Sequence, residues 1–192
     1  GNRGHLLTRL SKLDEAEALL QATIARSESA LGKEHDLTTA LQGRLATVYE
    51  FQGRWTESLG LRKQVLASFV AHFGDTHPQT ISARASYATS LGKLKRYREA
   101  DDELSLAIAH ARSTLGNRHP LTLTVLNNSG VNRFAAKDAA GALELFRELE
   151  AARCESDDPE SLDLASVRIN IASCLGELGQ YEEARALLTE TL

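Results

Sequence analysis

Methionine is absent from all 192 residues, position 1 included, so the sequence reads as a processed or excised piece of a longer protein. Cysteine occurs only at Cys154 and Cys174, too few for a disulfide framework and in keeping with a reducing, cytoplasmic setting. Proline occurs three times, and aromatics are scarce at 5 Phe, 4 Tyr and 1 Trp. An all-β sandwich or barrel needs aromatic and β-branched strands cut by turns, and is excluded on that count. No apolar run approaches the roughly 18 residues of a membrane span, and the opening residues do not read as a signal peptide. One-signed charge is missing too: 22 Lys and Arg stand against 26 Asp and Glu, a formal −4. Residues 1–96 hold 13 basic and 9 acidic side chains (+4), and residues 97–192 hold 9 and 17 (−8). A nucleic-acid-binding surface would be basic throughout, so nucleic acid is not an expected partner. Two solvated faces account for the gradient; a polarised groove that orients a charged partner is the sharper alternative.

What is abundant is helix former. Leu contributes 31 residues and Ala 27. With 42% apolar residues the chain can bury a core, which excludes a disordered or collagen-like polymer.

A period of 42 residues runs through the sequence. Leu31-Gly32-Lys33-Glu34-His35-Asp36-Leu37-Thr38, Phe73-Gly74-Asp75-Thr76-His77-Pro78-Gln79-Thr80 and Leu115-Gly116-Asn117-Arg118-His119-Pro120-Leu121-Thr122 share one spelling. Trp55, Tyr97 and Tyr181 share a second position, with Leu13 and Ala139 in its other occurrences. Glu15, Glu57, Glu99, Gly141 and Glu183 follow two residues on, then Ala16, Ser58, Ala100, Ala142 and Ala184. A third marker is small: Gly4, Ala46, Ala88, Gly130, Ala172. Each period reads as two helices. Ile81, Ala85, Ala88 and Leu91 make one apolar face, with Pro78 in a first turn that tolerates it. The short connector Lys93-Leu94-Lys95-Arg96 sends the next helix back antiparallel, and Gly116 ends that helix. The small residues permit close helix approach, and the aromatic fills the gap beside them. The unit at 120–154 departs most: it has Ala139 for the aromatic, Gly141 for Glu, and Arg133 where Tyr49, Leu91 and Leu175 stand elsewhere. It is expected to be the least regular. The loop Cys154-Glu155-Ser156-Asp157-Asp158-Pro159 lacks the Leu-Gly-x-x-His core, which predicts a fourth first-helix longer at its start.

These residues resemble tetratricopeptide repeats (TPR), specifically the 42-residue kind of kinesin light chains. The resemblance is carried by Gly53-Arg54-Trp55-Thr56-Glu57-Ser58, Lys95-Arg96-Tyr97-Arg98-Glu99-Ala100 and Gly179-Gln180-Tyr181-Glu182-Glu183-Ala184. It also rests on Leu-Gly-x-x-His-Pro at 115–120 and on Leu126-Asn127-Asn128. It implies an all-α fold, a right-handed α-α superhelix of about four and a half helix-turn-helix repeats in a single domain. The units would be 1–30 (partial), 31–72, 73–114, 115–156 and 157–192 (partial). The chain would open inside the first helix of one unit and close inside the second helix of another. Leu6, Leu7 and Leu10 crowd one end and Leu187, Leu188 and Leu192 the other, so neither end has a polar cap and self-association through the ends is open. In such arrays the first, or A, helix of each pair lines a concave groove. The family often carries Asn at the register of Arg44, Ser86, Asn128 and Asn170, where an amide can bond an extended peptide backbone. Thr47, Thr89 and Ser173 lie one turn along, then Glu50, Phe51, Lys93 and Glu177, with Asn127 beside Asn128. These are the expected groove residues. Too few Lys and Arg surround the paired Asn for a clamp on a C-terminal carboxylate. Arg133 reads either as a groove residue or as the mark of a weak repeat.

No motif for catalysis is present: GxxxxGK[ST], GxSxG and HExxH are all missing. The periodic Glu residues occur once per repeat, whereas paired catalytic carboxylates must share one site. Equivalent points two packed helices apart lie roughly 16–20 Å from each other, so His35, His77 and His119 cannot share a metal ion; loop capping is their expected role. The expected function is therefore a non-enzymatic protein-interaction scaffold, with no cofactor, no metal and a protein or peptide partner in the groove. The alternative is a regulatory or sensor segment of a larger signalling ATPase, acting by packing on its own chain or by self-association.

Overall fold

A computed structural model describes residues 2–154 and 162–191, with side chains over 12–153 and 164–191. Among the described residues all regular structure is helical: α1 (Asn2–Leu31), α2 (Asp36–Phe51), α3 (Trp55–Phe73), α4 (Pro78–Lys93), α5 (Tyr97–Leu115), α6 (Pro120–Ala135), α7 (Ala139–Cys154), α8 (Leu162–Glu177) and α9 (Tyr181–Thr191). The A helices α2, α4 and α6 begin 42 residues apart, and so do the B helices α3, α5, α7 and α9. The helices form two compact units, 1–75 and 76–192. In the first, α2 packs on α1 and on α3. In the second, each helix packs on the next, and α4 also packs on α6.

The periodic loop residues each satisfy a backbone need. Gly32, Gly74 and Gly116 take φ of 97°, 80° and 90°, a left-handed region that an L side chain enters at about 1 kcal/mol or more. The Nδ1 atoms of His35, His77 and His119 accept from the amides of Leu37, Gln79 and Leu121 at 3.2, 3.2 and 3.1 Å. Each imidazole thus caps its A helix, satisfying one of the amides a helix start leaves unpaired. Thr38 and Thr122, fully buried, donate back to the carbonyls of Gly32 and Gly116 at 2.9 and 2.8 Å.

The A-to-B turns repeat one hydrogen-bond pattern. Arg54, Arg96, Asp138 and Gln180 donate their amides to the carbonyls of Tyr49, Leu91, Arg133 and Leu175 at 2.8–3.0 Å. The residue before each, Gly53, Lys95, Lys137 or Gly179, has φ between 62° and 78°. That is the Schellman ending, which reverses the chain in the least length. At the 42-residue equivalent, Ser11, no turn forms: α1 runs unbroken through it, so the expected opening helix pair is one helix.

Small residues fill the close approaches, with Ala46, Ala88 and Ala172 buried beside Leu45, Leu91 and Leu175. Tyr97 and Trp55 are half-buried, whereas Tyr181 is 70% exposed. The unit at 120–154, expected to be the least regular, keeps the same turn through paired exchanges. Phe146 is 1% exposed, and its ring lies 2.7 Å from where a Cβ at Gly130 would stand. Asp138 Oδ1 accepts from the Gly141 amide at 2.9 Å and so caps α7, and a Cβ at Gly141 would meet Asp138 Oδ2 at 2.3 Å. Phe146 with Gly130 thus replaces aromatic with alanine, and Asp138 with Gly141 replaces the Arg-Glu fork of the two preceding turns. The loop at 155–159, the start of the fourth A helix, the Cys154 thiol and the Leu6, Leu7, Leu10 and Leu192 side chains lie outside the described residues.

That fork joins Arg54 to Glu57 and Arg96 to Glu99. Arg54 also reaches Glu17 of α1 at 2.7 Å and lies 4.1 Å from the Tyr49 ring centre. Its hydrogen bonds hold the Glu17 and Glu57 carboxyls below the ordinary value of 4.5, with Gln52 assisting at Glu17. A lowered carboxyl pKa gives stability that is present above the unfolded value and lost as pH falls through the folded one. The thermal midpoint should therefore drop between about pH 5 and pH 3 more steeply in the parent than in Arg54→Gln, which should be less stable at neutral pH. Circular dichroism melts across that range check it; parallel curves would refute the coupling.

Candidate functional site: the A-helix face

In the second unit a cleft of about 110 Å³ opens between α4 and α6. Its walls are Ala88 and Gly92 of α4, Tyr97 and Leu104 of α5, and Val131 and Ala135 of α6. Thr89, Lys93, Asn128 and Asn132 add the polar groups. Three expected groove residues, Thr89, Lys93 and Asn128, are therefore brought together. Asn128 is half-buried, and its amide makes no hydrogen bond within the described residues. Thr89 donates its hydroxyl to the Ala85 carbonyl at 3.0 Å, which leaves it acceptor capacity.

Sequence reasoning missed Asn132. It is 7% exposed, donates Nδ2 to the Tyr97 carbonyl at 3.0 Å, and so ties α6 to the start of α5. Its Oδ1 has no hydrogen-bond partner and lies 3.0 Å from where a Cβ at Gly92 would be. The available signal was its register: Asn132 shares a position with Val48, Ser90 and Cys174, all buried. An amide at a core register was the anomaly to notice.

The remaining expected residues are distributed as follows. Ser86 and Ser173 bond back to the Ser82 and Ile169 carbonyls of their own helices at 3.0 and 2.9 Å. Asn127 and Asn170 are half-buried, with amides unbonded within the described residues. In the first unit Arg44 is exposed and makes no ion pair there. Thr47 and Glu50 are instead turned toward α3. Arg62 donates Nη2 to Thr47 at 2.9 Å and Nε to Glu50 at 3.1 Å, and Ser58 donates to Glu50 at 2.8 Å.

Arg133 serves the hairpin packing. It bonds Asp101 of α5 at 3.0 and 3.4 Å, which raises its already high pKa, while its neighbour Phe134 supplies the apolar contact with the core. Cys174 is a buried free thiol, and burial pushes its pKa up, so it stays protonated at neutral pH. Among the described residues no three His, Cys, Asp or Glu side chains converge on a metal position, and no helix is long and apolar enough to cross a membrane.

Helix pairs repeated every 42 residues, with capped starts and one shared turn, define an α-helical repeat protein. The tetratricopeptide repeat model matches residues 1–69, 37–109 and 83–155, so the chain belongs to the tetratricopeptide repeat family. Similar solved structures include the kinesin light chain-like, nearly identical TPR-like repeats of Podosopora anserina. They share 23% identity over 99% of this chain and 90% of theirs, with a TM-score of 0.83. BtubC (BKLC) of P. vanneervenii shares 18% identity over 97% of this chain and 74% of its own, with a TM-score of 0.84. A Rap protein complexed with Competence and Sporulation Factor shares 14% identity over 98% of this chain and 51% of its own, with a TM-score of 0.73. At these identities the likeness establishes the fold, that of the tetratricopeptide solenoids. No curated protein matches the sequence.

Proposed function

We propose that this chain is a non-catalytic interaction scaffold that holds an extended segment of a partner protein on its A-helix face, with the α4–α6 cleft as one subsite. The observation that carries the reading is the Asn128 amide, half-buried at the rim of an apolar cleft and bonded to nothing within the described residues. A half-buried amide bonded to no other group of the protein is free to exchange its water for a ligand, and it offers a donor and an acceptor to a peptide backbone. Asn170, one full period on, repeats the offer. The Rap neighbour, complexed with its factor, is a precedent for ligand binding on this fold. The buried free thiol of Cys174 fits a reducing compartment such as the cytoplasm.

The test is affinity capture from the source lysate with the parent and with Asn128→Ala/Asn170→Ala, both first shown to be equally helical. A partner held by the parent should be retained about tenfold less by the variant, as expected for losing about 1.4 kcal/mol. Equal retention by both would remove the A-helix face from the function. The same assay with Arg44→Ala asks whether the first unit contributes.

A further inference from the structure

We infer that the segment held on the α4–α6–α8 face is an uncharged extended peptide that lodges a branched apolar side chain in the cleft. This rests on the interaction reading above and gives the partner its chemistry.

The argument begins with where the charges of these three helices go. Arg84 of α4 is turned to Glu103 of α5 at 2.5 Å, with its side chain 9% exposed. Arg133 of α6 is turned to Asp101 of α5 at 3.0 Å. Arg168 of α8 is turned to Glu150 of α7 at 2.9 Å. Every described arginine on these A helices is thus matched by an acid on a B helix. The other described charges on the three helices are Lys93 and Glu177, opposite in sign and two periods apart in the last turn. Lys93 is itself already engaged within the protein.

Apart from these two last-turn charges, what remains on the face is neutral. Asn128 and Asn170 present amides, and Thr89 and Ser173 present hydroxyls. Val131 and Ile169 stand 49% and 51% exposed. This neutrality is local, because residues 97–192 carry a formal −8. The acids of that half whose ion pairs are described here, Glu99, Asp101, Glu103, Glu148, Glu150, Glu182 and Glu183, lie on B helices. An acidic peptide would meet a repulsive background field, and the one described lysine of these helices, Lys93, is already engaged within the protein. A basic one would give up water for amides and hydroxyls, a poor exchange for a charge. A neutral backbone loses nothing of that kind, since amides and hydroxyls replace its water bonds, and the apolar cleft rewards a side chain that leaves water. The polarised groove suggested by the uneven charge of the sequence is therefore not what this face provides.

The experiment pans random dodecapeptides on phage against the whole 192-residue chain. Enriched peptides should have near-zero net charge and need one Val, Ile or Leu in an alanine scan. Their Kd should change less than about twofold between about 50 and 500 mM NaCl, as binding without charge pairing requires. Val131→Lys, at an exposed position that folding tolerates, and Asn128→Ala should each weaken binding about tenfold, or about 1.4 kcal/mol. Enriched peptides that are charged, weaken with salt and still depend on Asn128 would overturn this inference and leave the interaction reading standing. Peptides indifferent to both substitutions, or no enrichment at all, would overturn both.

Discussion

Gly130→Ala should destabilise the second unit by about 1–3 kcal/mol, the usual cost of forcing a methyl into a filled core. The new Cβ would stand 2.7 Å from two ring carbons of Phe146, which is 1% exposed and has no room to retreat. Adding Phe146→Leu should recover most of the loss. One period earlier the same two positions hold Ala88 and Leu104, both buried, so the pair Ala with Leu is already a working solution in this fold. Phe146→Leu alone should cost about 1 kcal/mol or more for the space it leaves. Urea unfolding of the four proteins gives the coupling directly, and an interaction of about 1–2 kcal/mol is expected between neighbours of this kind. Additive losses would show that Gly130 and Phe146 are not exchanged as a unit.

Glu103→Ala should cost about 3 kcal/mol, at the lower end for breaking a buried ion pair because Glu103 keeps a quarter of its side chain exposed. The penalty comes from Arg84, which would hold its charge inside the α4–α5 packing without its nearest acid. Replacing both residues by leucine should be near neutral, since an ion pair and a well-packed apolar pair of similar volume often differ little. The repeat itself suggests the substitution: Leu126 and Leu145 stand one period on from Arg84 and Glu103. Thermal melts of the single and double variants decide it. A double variant as unstable as Glu103→Ala would mean that this ion pair is required for the packing. In either outcome the face loses no ligand group, so binding by the double variant should follow that of the parent.

Much of this was legible in the sequence because the period was legible. The loop residues Gly, His and Thr recur with fixed spacing, and each acts on backbone atoms within a few residues of itself, so pattern alone reveals the job. The same holds for Pro78 at a helix start and for Gly53 and Gly179 in the turns. The departures were legible as departures but not as solutions. Ala139 and Gly141 looked like decay, yet Phe146 and Asp138 compensate for them from other positions. Arg133 looked like a core residue gone wrong, and its partner Asp101 is thirty-two residues away. Thr47 and Glu50 share a face with the groove residues in a helical projection, but Arg62 of α3 draws them into the hairpin.

The sequence by itself determined the helices, their 42-residue pairing, the caps and turns, and the family. These follow from local backbone chemistry repeated often enough to be read. Only the tertiary structure decided which polar side chains are spent and which are left over. Whether an Asn, Thr or Arg on a helix finds a partner depends on residues far along the chain, brought near by packing. Asn132 went to the Tyr97 carbonyl, and the three A-helix arginines of the second unit went to acids on B helices. Asn128 was left beside an apolar cleft with its amide unbonded within the described residues, although Thr89 and Lys93 of α4 line the same cleft.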